Sequence, residues 1–348
     1  MSKGFACAGL WGWMLVGSVL ADDWQALVDS EGRDIEARIL GVTGDTVSLI
    51  RKSDGRRFEV PLSKFSEESG VLIEEWQAEE AERAEHAAED ELSKKLYPRT
   101  RQEIKDGLRE IGGRQKPGDI DSAQHETITE LNIYRFLSGV PYDVEADPTL
   151  VENATEAAEA CAKAGELSHD LGSYTDKCNI STLGDIVKTP RQYINDPGAN
   201  NRERRGHRRW CLNPPLQKTG FGSAGKKYSA MWALGGGGER NDDPWGYPGR
   251  GFFPIERLHG NGWTLYLTEK APNSKELEVE VYEMSTRPED LITWGDEVPG
   301  RALPVDYVST YQNAINFEPD AKPITERGIY YVRISGGGVR EQYLVELY

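Results

Sequence analysis

Hydrophobic residues alternate with charged residues between positions 24 and 65, and this period of two is typical of half-buried β-strands. Gly44-Asp45 and Asp54-Gly55 lie between the alternating runs, where Asp-Gly is a strong hairpin signal. The pattern predicts a small β unit at the start of the chain. Its alternating apolar positions are Ile35, Ala37, Ile39, Val47, Leu49, Phe58, Val60 and Leu62.

Residues 67–120 are rich in alanine and glutamate and contain few apolar residues at helical spacing. This composition predicts a solvated helix with little apolar face, which would act as a spacer. A sustained heptad pattern is absent from the stretch, so a coiled coil is not favoured. Gly112-Gly113 and Lys116-Pro117-Gly118 are expected to end the helix.

The remaining two thirds of the chain change from helical to strand-like patterns. Thr127–Leu137 and Pro148–Ala164 have helical periodicity, whereas Phe221 and Met231-Trp232-Ala233 are typical of strands. From residue 241 onward the alternation has a period of two and predicts a small β-sandwich that ends with a C-terminal strand. The alternating runs are Trp263–Leu267, Leu277–Tyr282, Gly328–Ile334 and Gln342–Tyr348. The fold class predicted for the whole chain is α+β with several domains.

The N-terminus has the pattern of a cleavable signal peptide. Lys3 supplies a positive charge, an apolar stretch follows, and Val19-Leu20-Ala21 places suitable residues at the cleavage site. The apolar stretch of about 16 residues is short for a membrane anchor, which needs about 20. We therefore expect residues 1–21 to be removed, Asp22 to begin the mature chain, and the protein to be secreted, periplasmic or attached to the cell surface. No later segment is predicted to span a membrane.

The charge of the chain limits its partners. The formal net charge of −17 argues against a general nucleic-acid binder, because contact with phosphates needs a basic surface. One basic run, residues 202–209, interrupts this acidity. It is interpreted either as a solvated loop that pairs with carboxylates, or as a surface patch for an anionic ligand. The arginines of this predicted patch are Arg202, Arg204, Arg205, Arg208 and Arg209.

Two segments near the N-terminus resemble a known small domain. Trp24–Arg33 together with Val60–Ser66 is similar to the SHD-type domain, first named in a yeast actin-patch adaptor. The resemblance implies an SH3-like β-barrel over residues 22–66. The adaptor role of the eukaryotic family members is not expected in an exported chain.

Four blocks in the middle of the chain resemble the CAP superfamily of cysteine-rich secretory, antigen-five and pathogenesis-related proteins. They occur in the order and at the spacing of that family, and they are Leu131–Val140, Asp147–Leu150 with Leu167–Asp170, Gly206–Pro214, and Thr219–Ala224. The resemblance implies an α-β-α sandwich around a short antiparallel sheet over residues 121–240. The predicted domains are then the signal peptide, the SHD-like barrel (22–66), the spacer (67–120), the CAP domain (121–240) and the β-sandwich (241–348).

The CAP resemblance also implies a cavity that holds two histidines and two acidic residues. The matching histidines are His169 and His207, and Asp196 stands at the second acidic position. Cys178 occupies the position where the family has its glutamate. Two imidazoles, a thiolate and a carboxylate would form a zinc site. The alternative is that both histidines are packed and hydrogen-bonded without a metal.

The same mapping bears on the pairing of three cysteines, Cys161, Cys178 and Cys211. It implies a disulfide between Cys178 and Cys211, with Cys161 as the rival partner. Two alternatives stay open: Cys178 binds a metal, or the cysteines are free, buried thiols.

These patterns favour a non-catalytic binding protein over an enzyme. The chain contains no Gly-x-Ser-x-Gly elbow, no His-Glu-x-x-His motif and no phosphate-binding P-loop. The expected partner is a protein or an anionic glycan of the cell envelope, with no cofactor. The alternative function is a zinc-dependent, peptidase-like hydrolase that uses His169 and His207.

Overall fold

The computed structural model describes residues 24–90, 93–320 and 323–348. The predicted signal peptide, its cleavage site and the expected N-terminal Asp22 lie outside the described residues. The chain divides into two compact units, Met1–Ala87 and Ala88–Tyr348. Both units are mixed in secondary structure, and the described residues form five β-sheets.

The first unit contains an antiparallel four-stranded sheet whose strands are paired in sequence order. The two predicted hairpin turns are confirmed, and Gly44 and Gly55 adopt φ angles of +60° and +66° in them. The sheet is open, and among the described residues a single bridge between Asp29 and Phe65 joins its two ends. Its elements are β1 (Gln25–Val28), β2 (Asp34–Thr43), β3 (Thr46–Arg51), β4 (Arg57–Pro61) and α1 (Glu67–Asp90).

Leu27, Ala37, Val47 and Leu49 form the core of this sheet, and Ile73 of α1 packs into the same cluster. The predicted acidic helix is therefore present, and its first turns cover the sheet.

The segment from residue 93 to 112 differs from the solvated spacer that its composition predicts. Helix α2 (Arg101–Gly112) begins with a capping box, in which Thr100 and Glu103 bond each other's backbone N–H groups. Ile104 and Ile111 of this helix are buried in the core of the second unit, as are Leu96 and Tyr97 before it. This segment belongs to the packed body of the second unit.

The middle of the chain forms helices on both sides of a small antiparallel sheet. The elements are α3 (Ser122–Ser138), β5 (Glu145–Ala146), α4 (Pro148–Ala164), β6 (Cys178–Ser181), α5 (Thr189–Asn195), α6 (Ala199–Arg202), α7 (Gly206–Cys211), β7 (Lys218–Thr219), β8 (Phe221–Ala224) and β9 (Tyr228–Trp232). The sheet has the strand order β6-β9-β8, and β5 pairs with β7 in a separate two-stranded sheet.

Strand alternation sends the side chains of this sheet into two hydrophobic clusters. Ile180 and Ala230 lie against Ala154, Ala157 and Ala158 of α4. The other face belongs to a larger cluster, which includes Phe221 and Met231 from the sheet, Tyr193 from α5 and Leu131 from α3.

The C-terminal part of the chain forms two larger sheets, with strand orders β10-β12-β16-β15 and β11-β18-β17-β13-β14. All pairs are antiparallel except β11 with β18. The strands are β10 (Trp245–Tyr247), β11 (Gly251–Phe253), β12 (Trp263–Tyr266), β13 (Glu278–Met284), β14 (Gly300–Leu303), β15 (Tyr307–Tyr311), β16 (Ala314–Glu318), β17 (Gly328–Gly336) and β18 (Val339–Leu347).

These sheets share one hydrophobic core with the helical part of the second unit. The largest cluster runs from Leu96 to Leu347. Tyr134 of α3 places its hydroxyl 2.7 Å from His259 Nε2, so a polar contact also crosses the predicted boundary at residue 240. None of the described helices is long and apolar enough to span a membrane.

Candidate functional site

A cavity of about 340 Å³ brings together several of the residues that the sequence singles out. It lies where α7, the segment before β6 and the end of β15 meet. The lining includes His169, Cys178 and His207 of the predicted cavity, and Arg204 and Arg209 of the predicted patch. Its other residues are Asp176, Lys177, Asn179, Asn200, Asn201, Gly206, Trp210, Ala233, Leu234 and Tyr311.

The carboxylate of Asp196 fixes the position of His207. The chain turns at Asp196 with a left-handed φ of +45°, which directs its carboxylate to the start of α7. One carboxylate oxygen accepts the N–H groups of His207 and Arg208 at 2.9 and 3.4 Å, and the other lies 2.7 Å from His207 Nδ1. Tyr193 stacks on the imidazole at a centroid distance of 5.0 Å. The imidazole is thus fixed on two sides, and Nε2 is the ring nitrogen left for a ligand.

His169 is oriented in a similar way by a backbone carbonyl. Its Nδ1 lies 2.6 Å from the carbonyl oxygen of Thr175, which can only accept, so Nδ1 carries the proton. The Thr175 hydroxyl donates in return to the carbonyl of His169. Nε2 is therefore the ring nitrogen of His169 that is left for a ligand.

The predicted pairing of Cys178 with Cys211 is not found. Cys161, Cys178 and Cys211 are all free, buried thiols. Successive side chains of a strand point to opposite faces, and Asn179 Nδ2 lies 3.9 Å from Cys211 Sγ. Cys178 therefore points to the other face of β6, where it packs in one cluster with Cys161.

The four predicted cavity residues do not supply a complete set of zinc ligands. Catalytic zinc sites use three protein ligands and structural sites use four. Both oxygens of Asp196 are engaged by His207 and Arg208, and burial raises the pKa of the Cys178 thiol to about 12, with a smaller contribution from Asp176. The four predicted cavity residues therefore keep two available ligand atoms, Nε2 of His169 and Nε2 of His207. Consistently, no three His, Cys, Asp or Glu side chains among the described residues are grouped as a metal site.

The basic run is divided between the end of α6, a turn at residues 203–205 and the start of α7, whereas the sequence predicts a surface loop or patch. Three of its five arginines have structural partners. Arg208 is fully buried and donates to the carbonyls of Ile194 and Gly262 at 2.6 and 2.8 Å, and to the Thr264 hydroxyl at 2.8 Å. Arg202 and Arg205 both bind the carboxylate of Glu318 on β16.

Arg204 and Arg209 differ from these three because their guanidinium groups line the cavity. Arg209 lies over the Trp210 ring at 4.2 Å, and both Arg204 and Arg209 lie over Tyr311, at 5.3 and 5.7 Å. The Nε atom of Arg209 is buried and has no hydrogen-bond partner within the described residues. Two of the five arginines of the predicted patch therefore line the cavity.

Two aromatic residues, Trp210 and Tyr311, also line the cavity. The apolar sequence after Trp210 predicts that it lies in the core, and this prediction is wrong, because Trp210 is only half-buried. Tyr311 lies about a hundred residues after the basic run, at the end of a strand. The sequence holds no signal that could have joined the two.

A larger cavity of about 800 Å³ lies on the first unit, but its charges are largely paired with one another. Arg33 binds Asp29 at 2.6 Å, and Lys52 binds Glu36. The smaller cavity has the more distinctive chemistry, because Lys177, Arg204 and Arg209 face a single acidic lining residue, Asp176.

None of the protein-family models matches this chain. None of the curated proteins or solved structures compared with it matches either.

Proposed function

We propose that this is a non-catalytic binding protein of the cell exterior or envelope, and that its cavity takes up an anionic group of an envelope glycan or protein. The observation that carries the proposal is Arg209. Its guanidinium lines the cavity, lies over an aromatic ring, and forms no ion pair within the described residues. A guanidinium without a carboxylate partner is available to an anion that enters the cavity.

The surrounding charges support an anionic ligand. The cavity lining has three cationic side chains and one carboxylate, although the chain as a whole has a net charge of −17. Arginine is suited to carboxylates and sulfates because its planar group donates two parallel hydrogen bonds.

The state of Cys178 supports a non-catalytic role. Cys178 is a lining residue, but its side chain points to the other face of β6, and nucleophilic catalysis by cysteine needs an accessible thiolate. A pKa of about 12 keeps this thiol protonated at neutral pH.

We also propose that residues 121–240 form a CAP-type domain and that residues 22–66 form an SHD-type domain. The helices on both faces of the β6-β9-β8 sheet, and the convergence of His169 and His207 on one cavity, support the first proposal. The four antiparallel strands and the Asp29–Phe65 bridge support the second.

The proposal predicts that the full chain binds at least one of two fluorescent polyanions, polygalacturonate or poly-glutamate. Binding of that polyanion should weaken at least tenfold in Arg204→Gln/Arg209→Gln, and it should also weaken with added salt, since both changes reduce charge attraction. Fluorescence anisotropy measures this. Arg240→Gln, an exposed arginine outside the cavity, is the matched control. Equal binding by the cavity variant and the control, or no binding of either probe, would refute the proposal.

The zinc-dependent hydrolase is the second candidate function. It is favoured by one observation, namely that both histidines engage Nδ1 with an acceptor and leave Nε2 for a ligand. Metal-binding histidines usually have such a second-shell partner.

Stoichiometric zinc is expected to leave the melting temperature of the protein unchanged, because no three His, Cys, Asp or Glu side chains of the described residues are grouped as a metal site. A working site at a hundred times its dissociation constant would add about 2.7 kcal/mol to the free energy of unfolding. Differential scanning fluorimetry of the wild type and of His169→Ala/His207→Ala checks this. A rise of several degrees in the wild type alone would establish the metal site instead.

A further inference from the structure

We infer that the anionic group is the carboxylate of an acidic sugar, a hexuronate unit of a polysaccharide, an assignment that rests on the proposed function. The cavity presents two kinds of polar group. Cationic donors lie on α7 and its approach, and the imidazoles of His169 and His207 each keep Nε2 for a ligand.

The donor side matches a planar carboxylate. Arg209 lies over Trp210, and Arg204 shares the Tyr311 ring with it, so aromatic contacts hold both guanidinium groups in place. A guanidinium that is already oriented loses less side-chain entropy when it binds. Its two parallel N–H groups fit the two oxygens of a carboxylate.

The imidazole side of the cavity favours a ligand that also carries hydroxyl groups. His169 and His207 each engage Nδ1 with an oxygen atom, so each ring has Nε2 left for a ligand. Asp176, the carboxylate of the lining, is a hydrogen-bond acceptor. The ring hydroxyls of a hexuronate both donate and accept hydrogen bonds, so they can pair with these groups beside the carboxylate, whereas the side chains of an acidic peptide supply carboxylates alone.

The size of the cavity agrees with one or two sugar units. Its volume of about 340 Å³ is near the lower limit of about 300–1,000 Å³ for small-molecule sites. A single hexuronate unit of the proposed polysaccharide would therefore fit in the cavity.

Isothermal titration calorimetry of the full protein with four probes tests this inference. The probes are trigalacturonate, the neutral trisaccharide maltotriose, a sulfated trisaccharide and hexaglutamate. We expect trigalacturonate to bind at least tenfold more tightly than the other three. Arg209→Gln should weaken it at least tenfold, and so should His169→Ala, an exposed position whose replacement spares the core. Arg240→Gln should bind as the wild type does, and a melting curve confirms that each variant is folded.

The outcomes separate this inference from the proposed function. If hexaglutamate or the sulfated sugar binds more tightly than trigalacturonate and requires Arg209, the hexuronate assignment is wrong and the proposed function stands. The assignment also fails if His169→Ala binds trigalacturonate normally, because the imidazole side of the cavity is then not used. If none of the anionic probes binds, both the assignment and the proposed function fail.

Discussion

Replacing Arg208 by methionine should lower the free energy of unfolding of the second unit by about 3 kcal/mol or more. The Arg208 side chain is fully buried and bonds two carbonyls and one hydroxyl. Methionine would leave these acceptors without donors, at a cost of about 1–3 kcal/mol each. Burial lowers the pKa of Arg208 to about 10, so the guanidinium still carries its charge at neutral pH. Urea unfolding monitored by tryptophan fluorescence measures the loss.

The matched control is Arg204→Gln, which removes an exposed arginine from the same basic run. Surface substitutions usually change the free energy of unfolding by less than about 0.5 kcal/mol. If both variants unfolded at the wild-type urea concentration, the division of the basic run into structural and cavity arginines would be wrong.

Gly222→Ala is expected to destabilise the second unit by about 3 kcal/mol, at the upper end of the usual range for overpacking. A Cβ atom at this position would lie 2.1 Å from the backbone nitrogen of Thr155 on α4. No side-chain rotation relieves a clash with backbone, so α4 would have to move away from β8. Gly112→Ala is the control, since a Cβ there meets nothing within 4 Å. Urea unfolding curves that coincide for Gly222→Ala and the wild type would show that α4 does not pack this closely.

Elements whose signals are local were predictable from the sequence. The hairpins at Gly44 and Gly55 need only a turn residue between two alternating runs. Asp147 caps helix α4 immediately before its first residue, Pro148, and Gly165 follows its last residue in a left-handed conformation. Both termini can be read directly from neighbouring residues.

Features that depend on distant partners were not predictable. The mostly polar sequence of helix α2 predicts a solvated spacer, yet Ile104 and Ile111 are enough to anchor the helix in the core. The arginines Arg202 and Arg208 bind Glu318 and Thr264, respectively, and these partners lie more than fifty residues later in the chain. Tyr311 reaches the cavity for the same reason, since only tertiary packing brings β15 to α7.

The candidate site was found in part because the CAP resemblance named His169 and His207, and both line one cavity. The resemblance did not indicate the role of Asp196, which orients His207 and caps α7. Nor did it indicate that Cys178 and Cys211 would lie on different faces of β6, because the strand register was not known.

The most direct test of the binding role is the NMR signal of the Arg209 Nε–H group during titration of the ¹⁵N-labelled full chain with trigalacturonate. The signal is assigned by its loss in Arg209→Gln. We predict that it shifts progressively as the sugar is added, because the guanidinium gains a carboxylate partner in the cavity. The corresponding signals of Arg208 and Arg135, whose Nε atoms already donate to carbonyls, should stay unchanged. An Arg209 signal that does not move while the sugar binds would contradict the proposed role of this cavity.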